Sequence, residues 1–153
     1  MPDCFISYSS NDQRLADFVY NELVQQGLSV FMASVSIKAG ENWTDSIIAN
    51  IKSSSWVILL ASREACQSAY VLQESGMALI TEKVLIPIVW DMSPCELPGW
   101  INRRHAIDLK NATIEQIQMQ ISQIAQMIKQ DNLKANLIAG AVILGLFFLA
   151  TRS

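Results

Sequence analysis

Four short apolar runs, with stretches of helical spacing between them, constrain this chain more than any other feature. The runs are Asp3–Tyr8, Leu28–Met32, Trp56–Ala61 and Val84–Trp90. Each is too short and too closely bounded by turn residues to be a helix, so each is expected to be a buried strand. Between them Leu15, Phe18, Val19 and Leu23 recur at helical spacing until Gly27, and Ile47, Ile48 and Ile51 do the same in a helix expected at Trp43–Ser54. Helix is also expected at Cys66–Thr81, a brief strand at Ala106–Leu109, and a long final helix from near Thr113. Strands that are apolar on both faces and alternate with helices imply a parallel sheet covered on both sides. Such sheets bind ligands beyond the carboxyl ends of their strands. Tyr8–Asp12, Ala33–Trp43 and Ser62–Glu74 are therefore the segments in which to look for function.

Local signals refine this outline. Asp12 stands where it can cap the first helix. Pro87 inside the fourth strand implies a bulge or an edge. Residues Ala33–Asn42 lack periodicity and contain Gly40, which makes them a loop, and Pro94, Pro98 and Gly99 make 91–100 irregular. In the final helix Ile114, Ile117, Ile121, Ile124 and Ile128 follow a 3-4-3-4 spacing among glutamines. That stripe fits a helix laid against the sheet, and it also fits a self-association seam.

Hydrophobic residues make up 51% of the 153 residues, more than a soluble domain of this kind needs, and the excess sits in the tail. No charge lies between Lys134 and Arg152, and a 17-residue helix at 135–151 spans roughly 26 Å against a hydrocarbon core of about 30 Å. A single-pass membrane helix is expected there, after a short linker at 131–134 and a body at 1–130. The start of the chain has no signal-peptide pattern, and Lys129 and Lys134 precede the span, so the body is expected to stay cytoplasmic. The formal charge of −3 and the scattered basic residues argue against nucleic-acid binding.

Most enzyme templates fail. There is no GxGxxG, P-loop or HExxH, and Cys4, Cys66, Cys95 and the single His105 suggest no metal site or catalytic triad. Asn42-Trp43-Thr44 matches a glycosylation sequon, a chance match for a cytoplasmic body. Glu74 differs from the other carboxylates because its neighbours, Tyr70, Val71, Leu72, Ser75, Gly76, Met77 and Ala78, are apolar or small. A carboxylate there is either a paired structural group or part of a cleft.

Five segments in order resemble Toll/interleukin-1 receptor (TIR) domains of bacterial type. They are Asp3–Asp12 (DCFISYSSND), Gly27–Phe31, Ala39–Trp43 with Ile47 and Ile51, Ser53–Ser62, and Ser68–Glu74. The resemblance implies a flavodoxin-like fold with five parallel strands flanked by helices. It also implies one of two functions. Some family members are scaffolds that recruit other TIR domains; others cleave NAD+ in immune defence, including antiviral defence, or in cell-death signalling. By that resemblance Glu74 is the catalytic carboxylate, Trp43 and Tyr70 are aromatic substrate contacts, and Ser9 and Ser10 line the same cleft. Ala33 departs from the aspartate common after the second strand, so contacts of that loop do not carry over whole.

The chemistry is self-consistent. Nicotinamide leaves NAD+ neutral and needs no general acid, while positive charge develops on the ribose. A carboxylate beside the ribose stabilises that oxocarbenium-like state more than the ground state. The expectation is an NAD+ glycohydrolase or ADP-ribosyl cyclase, with NAD+ as substrate, no cofactor and no metal. It is anchored by its tail and activated by self-association with other TIR domains. The alternative is a non-catalytic TIR adaptor at the membrane.

Overall fold

The computed structural model describes residues 2–34, 45–63, 66, 83–97 and 106–152, with side chains described in all of these except 34, 45–48, 94 and 134–152. Five parallel strands form one sheet: β1 (Cys4–Tyr8), β2 (Val30–Ser34), β3 (Trp56–Leu60), β4 (Val84–Val89) and β5 (Ile107–Asp108). Their spatial order is β2-β1-β3-β4-β5. In register, Ile6 lies between Met32 and Ile58, and Ile58 in turn opposes Ile86. Three helices are described: α1 (Gln13–Gln25), α2 (Asp45–Ser53) and α3 (Ile114–Arg152).

The order explains the layers. The chain steps from β1 to β2 in one direction and from β2 across β1 to β3 in the other. Right-handed crossovers then require α1 and α2 on opposite faces. Side chains divide accordingly, because successive strand residues point to opposite sides. Ile6, Tyr8, Ile58, Leu60, Ile86 and Ile88 pack with Ala16, Val19 and Leu23 of α1 and Ile121, Ile124 and Ile128 of α3. Phe5, Val57, Leu59, Leu85 and Val89 pack with Ile51 of α2. Both faces of β1 and β3 are thus dry, which is why the strands read as unbroken apolar runs.

Pro87 occupies a regular position opposite Leu59, so no bulge is needed. Ile88 O accepts from Ala61 N on the β3 side and Val89 O accepts from Leu109 N on the β5 side. By that alternation Pro87 turns its donor-less nitrogen toward β5, whose pairing begins only at Ile88. The expected bulge or edge position is replaced by a third solution: β4 lies inside the sheet between β3 and β5, and Pro87 simply precedes the point where β5 begins to pair. At Gly27 φ is +89°, the left-handed conformation that ends α1 cheaply with glycine.

The helix α3 starts where Thr113 and Gln116 form a reciprocal cap. Gln116 N–H donates to Thr113 Oγ1 at 3.2 Å, and Thr113 N–H donates to Gln116 Oε1 at 2.9 Å. Its isoleucine stripe is spent on the body. Ile121, Ile124 and Ile128 are at most 1% exposed, whereas Ile114 is 69% exposed. The seam reading is therefore replaced by the intramolecular one. Farther along, Asp131 accepts from the Trp56 indole N–H at 3.0 Å, and Asn132 Nδ2 donates to Asp3 Oδ1 at 3.0 Å. Both contacts lie at the amino edge of the sheet. The backbone is helical without a break through 131–134, the segment expected as a linker, and onward to Arg152.

The membrane span expected at 135–151 finds no support in the described residues, among which no helix is long and apolar enough to cross a membrane. The part of α3 with described side chains is two-faced, with Ile121, Ile124 and Ile128 inward and Gln118, Gln123, Gln126 and Gln130 exposed.

Because the stripe is core, Ile124→Ala should lower unfolding stability by about 2–5 kcal/mol through lost burial and a residual cavity. Ile114→Ala should stay within about 0.5 kcal/mol. Urea unfolding of the two variants checks this, and equal effects would contradict the assignment of the stripe to the core.

Candidate functional site

The strand order reverses at β1, so the crevice of this fold opens beyond the carboxyl ends of β1 and β3. The sequence places a serine-rich turn and a serine there. Tyr8 ends β1; Ser9 follows in extended backbone, 7% exposed, and Ser10–Asp12 form a short 3-10 turn with Ser10 exposed. Asp12 N–H donates to Ser9 O at 2.8 Å, and the Tyr8 hydroxyl donates to Gln13 Oε1 at 3.1 Å.

Asp12 does not cap α1: its side chain makes no cap bond. Its carboxylate instead accepts a hydrogen bond from Ser62 Oγ at 2.6 Å, across the crevice from one strand end to the other. Ser62, just past β3, is 2% exposed. It is itself held firmly. Its carbonyl accepts from Cys66 N–H at 2.9 Å, and the next amide, Arg63 N–H, points at Asp91 Oδ1 at 3.1 Å and Oδ2 at 3.2 Å. Arg63 also pairs with Glu96 at 3.3 Å, while the other Glu96 oxygen accepts from Ser93 N–H at 2.7 Å. Both side chains of that ion pair are largely exposed, so it orients more than it stabilises.

An open cavity of about 360 Å³ lies beside this network, lined by Arg63, Cys66, Met92 and Glu96. Another, of about 400 Å³, lies between β5 and α3 among Asp108, Lys110, Gln116 and Met119. The second is larger, but it lies away from the order reversal, beside β5 at the edge of the sheet. The crevice at β1 and β3 is the better candidate on topological and chemical grounds.

Of the residues expected to form the site, Ser9 and Ser10 stand at this edge. Trp43, Tyr70 and Glu74 lie outside the described residues, as does His105. Asp91 falls outside every candidate segment. Asp12 lies within the candidate segment Tyr8–Asp12 but reads there as a helix cap because it precedes a helix. Its partner lies 50 residues away and becomes visible only once β1 and β3 are known to be neighbours. Among the described residues no group of His, Cys, Asp and Glu is arranged to hold a metal ion. Burial, aided by the charge of Asp91, pushes the Cys66 thiol up from 9.0 to about 11, and burial, aided by Asp3, pushes Cys4 up to about 12. Neither is a thiolate near neutral pH, which makes both poor nucleophiles.

The architecture is that of a flavodoxin-like α/β domain with its crevice at the β1–β3 reversal. The family model for the TIR domain matches residues 4–125. The chain belongs to the TIR domain family. It is 30% identical over 138 residues to a protein named probable 2′ cyclic ADP-D-ribose synthase TcpO from Methanobrevibacter olleyae, covering 84% of this chain and 39% of that protein. Over 97 residues it is 29% identical to probable 2′ cyclic ADP-D-ribose synthase BdTIR from Brachypodium distachyon, covering 62% of this chain and 43% of that protein. The chain thus spans about two fifths of the length of these relatives. The crystal structure of the TIR domain of the Toll-related receptor TRR-2 from Hydra magnipapillata shares the fold. Its TM-score is 0.66 at 18% identity, with 84% of this chain and 99% of that chain covered.

The raised thiols set a pH dependence. Each folded-state value exceeds the unfolded value near 9.0, so the folded state holds its proton longer. The stability they contribute is complete below pH about 9 and falls as pH rises through about 11 and 12. In the native protein at pH 8, exposed Cys95 should alkylate readily while Cys4 and Cys66 do not. Mass spectrometry of the alkylated chain checks this, and rapid native labelling of Cys66 would contradict it.

Proposed function

We propose that this chain cleaves the nicotinamide–ribose bond of NAD+, releasing nicotinamide and passing the ribosyl centre to water or to an internal acceptor. The observation that carries the reading is the similarity over 138 residues to a protein named as a probable 2′ cyclic ADP-D-ribose synthase. The crevice geometry agrees with it. Ser9 and Ser10 follow β1 at the carboxyl edge, where a nucleotide is expected in this fold, and Asp12 and Ser62 join across that edge. In this reading Glu74 stabilises the developing ribosyl cation, and Trp43 and Tyr70 supply aromatic surface to the pyridinium. Ser9 and Ser10 bind the remainder of the nucleotide. No metal, acid or nucleophilic thiol is required, in keeping with the inert Cys4 and Cys66.

The full chain incubated with NAD+ should release nicotinamide, and Glu74→Gln should reduce turnover by about a hundredfold or more, because a charged transition-state stabiliser is lost. Chromatography with mass spectrometry identifies the product. Self-association is part of the proposal, so specific activity should rise with protein concentration in the same assay. Intact NAD+ at every concentration would contradict the enzyme reading and leave the TIR scaffold.

The proposal also includes membrane anchoring by 135–151, on the grounds of an uncharged run between Lys134 and Arg152. Since α3 is tied to the amino edge at Asp131 and Asn132, the tail departs from the side opposite the crevice. An anchored body would hold its cleft toward cytoplasmic NAD+. Deleting Ala135–Ser153 should move the protein from the membrane pellet to the soluble fraction. A full-length chain already in the soluble fraction without detergent would contradict anchoring.

A further inference from the structure

The hydrogen bond between Ser62 and Asp12 does more than join two strand ends. We propose that Asp12, held by the Ser62 hydroxyl, is a positioning residue that fixes the Ser9–Asp12 turn in the shape that receives the nucleotide. This rests on the NAD+-cleaving reading. At 2.6 Å the contact is in the range of a charge-assisted O–H···O⁻ bond. The 2% exposure of Ser62 keeps water from competing for it.

The direction of the effect follows from what holds each partner. Ser62 is a fixed point, anchored by the bond its carbonyl accepts from Cys66 and flanked by the Arg63 amide on Asp91. The turn is the dependent partner. Its Asp12 N–H to Ser9 O bond and the Tyr8–Gln13 bond both lie within residues 8–13 and define its local shape. The link to Ser62 reaches across the order reversal and sets where that shape sits relative to β3. A capping role for Asp12 is excluded, because its side chain makes no cap bond to α1. Moving the turn should weaken ground-state and transition-state binding equally, an effect on KM with kcat retained.

The test uses the full chain and four variants: Asp12→Ala, Asp12→Asn, Ser62→Ala and the Asp12→Ala/Ser62→Ala double substitution. Asp12→Ala and Ser62→Ala should each raise KM for NAD+ about tenfold, with kcat within about twofold of the unsubstituted chain. Asp12→Asn retains an oxygen that accepts from Ser62 and should recover most of the lost affinity. The double variant should be no worse than the poorer single one, since both remove the same bond. Hydrogen exchange of residues 8–13, measured without NAD+, should accelerate in both alanine variants. A lowered melting temperature with unchanged KM would overturn the proposal and leave a cohesive role. Unchanged exchange at 8–13 in both alanine variants would also overturn it, whatever the enzyme activity. Failure of the unsubstituted chain to cleave NAD+ would instead overturn the functional reading on which the KM arm depends.

Discussion

Everything about this molecule's layout depends on β1 having a neighbour on each side that the chain reaches in opposite directions. One crossover carries α1 over one face and the next carries α2 over the other, because the twist of L-peptide strands favours one hand of connection. The same reversal parts the connections at the carboxyl ends of β1 and β3 and opens a crevice there. Fold and site therefore share one cause. The apolar residues of β1 and β3 close both faces, and the polar residues immediately beyond them, Ser9, Asp12 and Ser62, are left where the core ends and the crevice begins.

The two edges of the sheet have different chemistry. At the amino edge Asp3 accepts from Ser29 N–H and from Asn132, and Asp131 accepts from Trp56, so carboxylates fasten β1, β2, β3 and the final helix together. These bonds serve cohesion. At the carboxyl edge the bonds run between segments that leave the sheet: Asp12 to Ser62, Arg63 N–H to Asp91, Arg63 to Glu96. That network orders backbone around an opening rather than closing it.

Much of this was legible in the sequence because burial writes itself as pattern. Runs such as Trp56–Leu60 have no polar residue, so their identity as central strands follows from the core alone. The helical spacing of Leu15, Val19 and Leu23 likewise marks the face of α1. The isoleucine stripe was ambiguous, since a 3-4 spacing describes both a helix on a sheet and a helix on its copy. Packing against Ile58 and Ile86 resolves it in favour of the first. What pattern could not reveal was pairing between distant polar groups. Asp12 and Ser62 carry no periodic signal, and their meeting follows from strand order, which local spacing does not specify. Glu74, Trp43 and Tyr70 are marked by family resemblance and lie outside the described residues, so their part in the site stands on sequence.

The central claim is that NAD+ binds at the β1–β3 carboxyl edge. Hydrogen exchange of the full chain carrying Glu74→Gln, with and without saturating NAD+, tests it most directly, because binding is read without turnover. The account predicts slowed exchange at residues 8–13 and 61–66, with no change at the amino edge around Asp3, Ser29 and Asn132. Protection confined to the amino edge or to the cavity between β5 and α3, with none at 8–13, would contradict it.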